Sequence, residues 1–179
     1  MARPTIPPTG VERTFDPADI IVSKTDLTGV ITYANRVFCD VAGYEERELV
    51  GQQHNIVRHP DMPRCVFKYL WDTISTGKEI FAFVLNQAKN GDHYWVFAHV
   101  TPSYDTSGAN LIGYHSVRRV PEPGALAVVS GLYQQILAEE QKHQSAKEGM
   151  DAGLNLLVSV LEEKGMGYDE LIFTLLGSA

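Results

Sequence analysis

Ten consecutive residues, His54-Asn55-Ile56-Val57-Arg58-His59-Pro60-Asp61-Met62-Pro63, bring an arginine, two histidines and an aspartate together on a stretch stiffened by two prolines. The segment 52–63 shows neither the two-residue period of a strand nor the 3.6-residue period of a helix, so it reads as an irregular loop. Rigid loops on a scaffold are where binding groups collect. Arg58 can grip a phosphate or carboxylate with two parallel donors, and His59 can donate or accept. A competing reading pairs Arg58 with Asp61 and turns the histidines onto backbone carbonyls, an arrangement worth only about 0–1 kcal/mol at a surface. Zinc is poorly supported. His54 and His59 are five apart rather than four, and Cys39 and Cys65 lack CxxC spacing. There is no GxGxxG, Walker A or GxSxG pattern, and no nucleophile–base pair stands out, so the expectation is a protein that is not an enzyme.

A second set of residues sits on two strand-like runs: Phe81, Phe83, Tyr94, Trp95 and Phe97, with Asn86 where the apolar run 80–85 ends. Core packing explains most such sets. A flat heteroaromatic ligand, however, needs an apolar slot with a few placed amides, and Asn35 and Asn86 are available for that role.

The elements that must hold these groups can be read in order. Ile20–Val22 and Val30–Tyr33 flank the turn signal Asp26–Gly29 and read as a hairpin. Asn35 can cap a helix carrying Val37, Phe38, Val41 and Ala42, which Gly43 stops. A short helical stretch covers 45–49. Pro63 suits the start of a helix whose apolar face is Val66, Phe67, Leu70, Trp71 and Ile74. Then come a strand over 80–85, the turn Lys89-Asn90-Gly91-Asp92, an alternating strand over 93–102 and a last strand over 111–120. The reading is an α+β fold: a five-stranded antiparallel sheet with helices on one face.

Residues 1–18 carry Pro4, Pro7, Pro8 and Pro17 and read as a flexible lead-in; 19–120 form the compact unit; Pro121–Gly124 opens a C-terminal helical extension over 121–179. The net charge of −7 is uneven, with twelve Lys/Arg against thirteen Asp/Glu up to residue 119 and three against nine beyond it. An acidic chain is a poor partner for a nucleic-acid backbone. No apolar run approaches a membrane span, no secretory signal opens the sequence, and two cysteines make no disulfide framework, so a cytoplasmic location is expected. The extension's amphipathic helices have two readings: folding back on the core, or a dimerisation or docking element, for which a homodimer is the expectation.

The order of elements resembles a PAS domain. Several blocks carry the likeness further: Asp26-Leu27, Ile31-Thr32-Tyr33-Ala34-Asn35, Gly43-Tyr44, Glu48-Leu49-Val50-Gly51, the run from His54 to Pro63, Trp71, and Lys89-Asn90-Gly91-Asp92-His93-Tyr94-Trp95-Val96. Together they resemble the sensory PAS domain of the bacterial aerotaxis receptor (Aer) family over about residues 20–120. The resemblance implies non-covalent FAD, sensing of redox or oxygen state, and a cofactor set of Arg58, His59 and Asp61 with Asn35 and His54. Asn86 falls where related flavin domains place an amide near the ring, and Trp71 and Trp95 are available as aromatic contacts. With a flavin there, the expected switch is local: reduction changes the donor and acceptor pattern of the ring edge, and a buried amide such as Asn86 must re-pair, because an unsatisfied buried polar group costs about 1–3 kcal/mol. One departure is Ile80, where the family often has Trp. Another is that the family's membrane anchor, HAMP region and signalling domain do not follow here. Output is therefore expected in trans, to a protein partner in chemotaxis or other signalling. A haem PAS sensor using His54 or His59 and a cofactor-free PAS assembly module are the alternatives. A reactive-cysteine light sensor is disfavoured, because neither cysteine lies in the required helix motif.

Overall fold

A computed structural model describes residues 6–177 of the chain. Five strands, β1 (Ile21–Thr25), β2 (Ile31–Ala34), β3 (Ile80–Gln87), β4 (His93–Tyr104) and β5 (Leu111–Arg119), pair antiparallel in the order β2-β1-β5-β4-β3. Three helices precede β3: α1 (Arg36–Ala42), α2 (Glu46–Leu49) and α3 (Arg64–Ile74). Three follow β5: α4 (Pro123–Gln141), α5 (Ala146–Lys164) and α6 (Tyr168–Gly177). The loop expected over 52–63 contains one regular turn, a 3-10 helix at His54–Val57, closed by hydrogen bonds such as Arg58 N–H to the Asn55 carbonyl.

Asn35 starts α1 as its residue type predicts. Its Oδ1 accepts from the Phe38 and Val22 N–H groups, both at 3.0 Å, and its amide donates to the Ile20 carbonyl at 2.7 Å. One side chain thus ties a helix start to the first strand. Tyr94, Val96 and Ala98 point with Ile21, Phe38, Ala42 and Leu49 into an inner core. The alternate residues Trp95 and Phe97, with Phe81 and Phe83, face the other way.

That outer face is where the extension lies. Val129, Tyr133 and Ile136 of α4 and Ile172 of α6 bury against it, and α5 packs on α4 and α3. The core's own helices therefore occupy one face, as expected, and the extension folds back over the other. Seven of the eight β3 residues are buried as a result, which is why its sequence is nearly continuous rather than alternating. β3 is an edge strand, and its free edge is closed by three different groups. Asn86 bridges to Arg58, the Leu85 N–H meets Met62 Sδ at 3.5 Å, and the Tyr133 hydroxyl donates to the Phe83 carbonyl at 3.0 Å.

The lead-in differs from its reading. Residues 1–5, Pro4 among them, lie outside the described residues. From Thr9 to Arg13 the chain runs extended beside the β3–β4 turn: the Thr9 N–H bonds to the Gly91 carbonyl, and Val11 and Arg13 exchange hydrogen bonds with His93. Arg13 also reaches Asp92 at 3.0 Å and the Val41 carbonyl at 3.0 Å. The prolines forbid helix, but the residues between them keep their donors. Gly91 is required twice over, by its φ of 96° and because a Cβ there would meet the Pro7 carbonyl oxygen at 2.5 Å.

Candidate functional site

A cavity of about 590 Å³ opens between the inner face of the sheet, α3 and the loop 53–58. Val84, Ala98, Val100, Leu70 and Ile74 give it apolar walls, and Asn86 and Arg118 reach into it from β3 and β5. Its charged lining is one-sided. Arg58, Arg64, Lys68 and Arg118 line it, and no aspartate or glutamate does so among the described residues. In a chain of net charge −7 this is a concentrated reversal of sign.

The deep end is a polar chain. Arg118 Nη2 donates to the Ser23 hydroxyl, and Ser23 Oγ stands 3.1 Å from His54 Nε2, with Arg118 Nη1 at 3.5 Å from the same nitrogen. Arginine has only donors, so these partners assign His54 Nε2 as the acceptor and put its proton on Nδ1. Burial, then the Arg118 charge, push His54 down to about 3, so the ring is neutral at physiological pH. Arg118 is 2% exposed, lies 4.5 Å over the Phe38 ring, and is pushed down to about 10 by burial. Its Nε–H is buried without a hydrogen-bond partner. Buried polar groups are normally hydrogen-bonded, so this donor is exceptional.

The sequence-chosen residues divide. His54, Arg58, Asn86 and Trp71 line the cavity. Arg58 stacks over Phe67 at 4.2 Å, and Trp71 packs edge-on against Tyr114. The structure does not bring the others there. His59 is buried, and its Nδ1 accepts from the Asp61 N–H at 3.1 Å, which folds the loop, while Asp61 itself is exposed. Asn35 is engaged in capping α1 and tying it to the first strand, and it does not line the cavity. Trp95 lies on the outer face, its ring 6.2 Å from Tyr133 of the extension. Ile80 is buried in the core beside the cavity and does not line it.

Arg118 and Ser23 escape sequence reasoning. A signal for Arg118 did exist: it is in phase with Tyr114 along β5, and its register partners Ile21 and Ala98 are buried. Arg64 and Lys68, one turn apart on α3, also line the cavity nearer solvent, with Lys68 paired to Asp72.

Among the described residues no helix is long and apolar enough to cross a membrane. Comparison with known proteins places the chain. The aerotaxis receptor of Escherichia coli strain K12 is 42% identical over 118 residues, 66% of this chain and 23% of that protein. The nitrogen fixation regulatory protein of Klebsiella pneumoniae is 31% identical over 91 residues, 51% of this chain and 18% of that protein. The chain thus spans less than a quarter of either relative. A solved light-oxygen-voltage domain, described in work on a flavin analogue, superposes with a TM-score of 0.54 at 21% identity, over 65% of this chain and 87% of that one. The PAS domain of a Colwellia psychrerythraea protein gives 0.52 at 19% identity, over 57% and 86%. Residues 31–115, just under half of the chain, match the PAS fold, so the chain carries a PAS-fold domain similar in sequence to part of the aerotaxis receptor.

Proposed function

We propose that this chain is a cytoplasmic redox or oxygen sensor that binds FAD in its PAS cavity and passes the state of the site, through its extension, to a protein partner in trans, in aerotaxis or a related response. The observation that carries this reading is the cavity's charge: four cations, no carboxylate among the described residues, and an unpartnered Arg118 Nε–H at its deep end. That lining suits a flat, anionic dinucleotide. Arg118, Asn86 and His54 would hold the polar edge of the ring, since Arg118 and Asn86, with Ser23, are the most buried polar groups there. Arg58, Arg64 and Lys68, closer to solvent, would hold the phosphates. A bound flavin supplies a reversible redox couple.

The protein's part is to keep its donors fixed. Ser23 and His54 lock the Arg118 guanidinium in place in the cavity lining, with its Nε–H left unpartnered. Asn86 is held by the β3 backbone and has two donors and one acceptor oxygen to offer. A buried polar group left unsatisfied costs about 1–3 kcal/mol, enough to bias a two-state element when the partner's pattern changes. His59 and Asp61 act on this reading through the shape of the loop.

The test is the visible spectrum of the gently purified full chain, with and without added FAD. Flavin absorbance that responds to a mild reductant is expected. A colourless protein that takes up no FAD would overturn the proposal, and a Soret band would replace FAD by haem. A homodimer is expected by size exclusion.

A further inference from the structure

Glu140 belongs to the last turn of α4, in the extension, but its carboxylate serves α3. One oxygen accepts from the Arg64 N–H at 2.9 Å and the other from the Cys65 N–H at 2.8 Å. α3 has no cap of its own, because Pro63 at its N-cap offers no side-chain acceptor. First-turn N–H groups lack intrahelical partners, and a carboxylate is the guest that both their hydrogen bonding and the helix dipole favour. Glu140 is only 8% exposed. α5 is notched to admit it: a Cβ on Gly149 would strike the Glu140 carbonyl oxygen, and one on Gly153 would lie 2.8 Å from Glu140 Cγ. The two glycines are four residues apart and share a face of α5.

α3 is also a wall of the cavity, through Phe67, Leu70, Trp71 and Ile74, and it follows directly on the loop that carries Arg58. One short helix thus meets the cavity along its side and the extension at its tip. Across the seam, α5 places Met150 in the same cavity lining.

We propose that Glu140 is a positioning residue which makes the docking of the extension and the shape of the cavity one equilibrium. With the carboxylate in place, α3 and the extension move together. Without it, the first turn of α3 loses its acceptors and α4–α6 lose one of their polar anchors on the core, leaving the Tyr133 hydroxyl on the Phe83 carbonyl. Intermediate positions are disfavoured, since a buried carboxylate out of reach of its donors is costly. By linkage, a ligand that prefers the capped position of α3 must tighten the extension, and release of the extension must weaken that ligand by the same factor. The inference rests on the fold and the cavity and takes from the flavin reading only one of its probes.

The experiment is a double-mutant cycle on the full chain, read by amide exchange of α5 peptides. Phe67→Ala loosens α3 from the cavity side, and Glu140→Ala removes the cap. Each alone is expected to speed α5 exchange, Glu140→Ala by on the order of tenfold. The double variant is expected to match Glu140→Ala within about a factor of two, because the cavity side no longer reaches the extension. Effects that multiply would overturn the proposal. Should Glu140→Ala not fold, Gly153→Val fills the notch with the carboxylate still present and is expected to give the same non-multiplying result. Saturating FAD supplies the second arm. It should slow α5 exchange in the unaltered chain and leave it unchanged in Glu140→Ala, with flavin absorbance showing FAD bound to both; equal slowing in the variant would also overturn it. The two readings fail separately. A non-multiplying cycle in a chain that binds no flavin removes only the FAD proposal, and multiplying effects in a flavin-binding chain remove only the role of Glu140.

Discussion

The two faces of the sheet are built from the same alternating strands, yet they finish differently. The outer face is closed by the protein itself. Phe83 is fully buried, Trp95 and Phe97 are covered, and the Phe83 carbonyl on the free edge of β3 receives the Tyr133 hydroxyl. The inner face stops short of closing. It leaves a cavity of about 590 Å³ lined by a buried guanidinium with an unpartnered N–H. A face that completes itself serves stability. A face that buries charge and leaves a donor unanswered is arranged for something that arrives later.

The sharpest way to break that contrast is to cut one side chain from each face. Phe83→Ala should cost about 3–5 kcal/mol, because its site is dry and cannot collapse. Val84→Ala, one residue along and facing the cavity, should cost less than about 1.5 kcal/mol, because part of its surroundings is already empty. Denaturant midpoints of the two variants decide it, and equal losses would mean that the inner face is as tightly packed as the outer.

The inner face should also carry an acid sensitivity. His54 is held neutral in the fold down to about pH 3, whereas in the unfolded chain it protonates near its ordinary value of 6.5. The unfolded state then binds more protons between these values, so stability falls as pH drops through the window. From pH 6.5 to 5 the loss assigned to His54 is at most about 2 kcal/mol. Denaturation series at several pH values on the unaltered chain and on His54→Asn should show the steeper slope only in the former.

Arg118 gives the next contrast, with opposite signs for stability and binding. Arg118→Met removes a buried charge that makes no ion pair with any carboxylate among the described residues. The ligand-free protein should gain about 1–2 kcal/mol, as replacements of poorly compensated buried charges do. Flavin affinity should fall at least about tenfold, the loss of one charge-assisted contact. A variant that is destabilised and still binds flavin normally would make Arg118 part of the scaffold.

These residues also show what a sequence discloses. The alternation in β4, the Asn35 cap and the Asn90-Gly91 turn are local, and each was legible because its cause lies within a few residues. The family blocks made the PAS fold legible as well. Which face of a strand holds a cavity is not local. Trp95 and Tyr94 are neighbours with similar chemistry, and only the pairing of β4 with β3 and β5 sends one toward the extension and the other inward. Arg118 was hidden in the same way, as one of two adjacent arginines at the end of a strand. The Pro-rich lead-in hid its pairing because its hydrogen bonds go to a turn some 80 residues away. In the loop, His54 and Arg58 reach the cavity, while His59 turns back to the Asp61 amide, a choice made by local geometry that residue types alone do not record.

The smallest effect tests whether the outer face depends on the polar seal that Tyr133 supplies. Tyr133 is buried in α4, its hydroxyl donating to the Phe83 carbonyl, and burial keeps that hydroxyl protonated far beyond the usual tyrosine range. Tyr133→Phe keeps the ring, its packing on Trp95 and its volume, and removes only the donor. The Phe83 carbonyl would then be left on the edge of β3, covered by the extension and away from water. A net hydrogen bond is worth about 0.5–1.5 kcal/mol, and a carbonyl stranded without a partner sits at the upper end of that range. Stability should therefore drop by about 1 kcal/mol, and amide exchange should quicken along β3 and α4 while the loop 53–58 keeps its rate. Equal quickening on both faces would show that the sheet transmits the loss, and that the closed face and the open one are not independent.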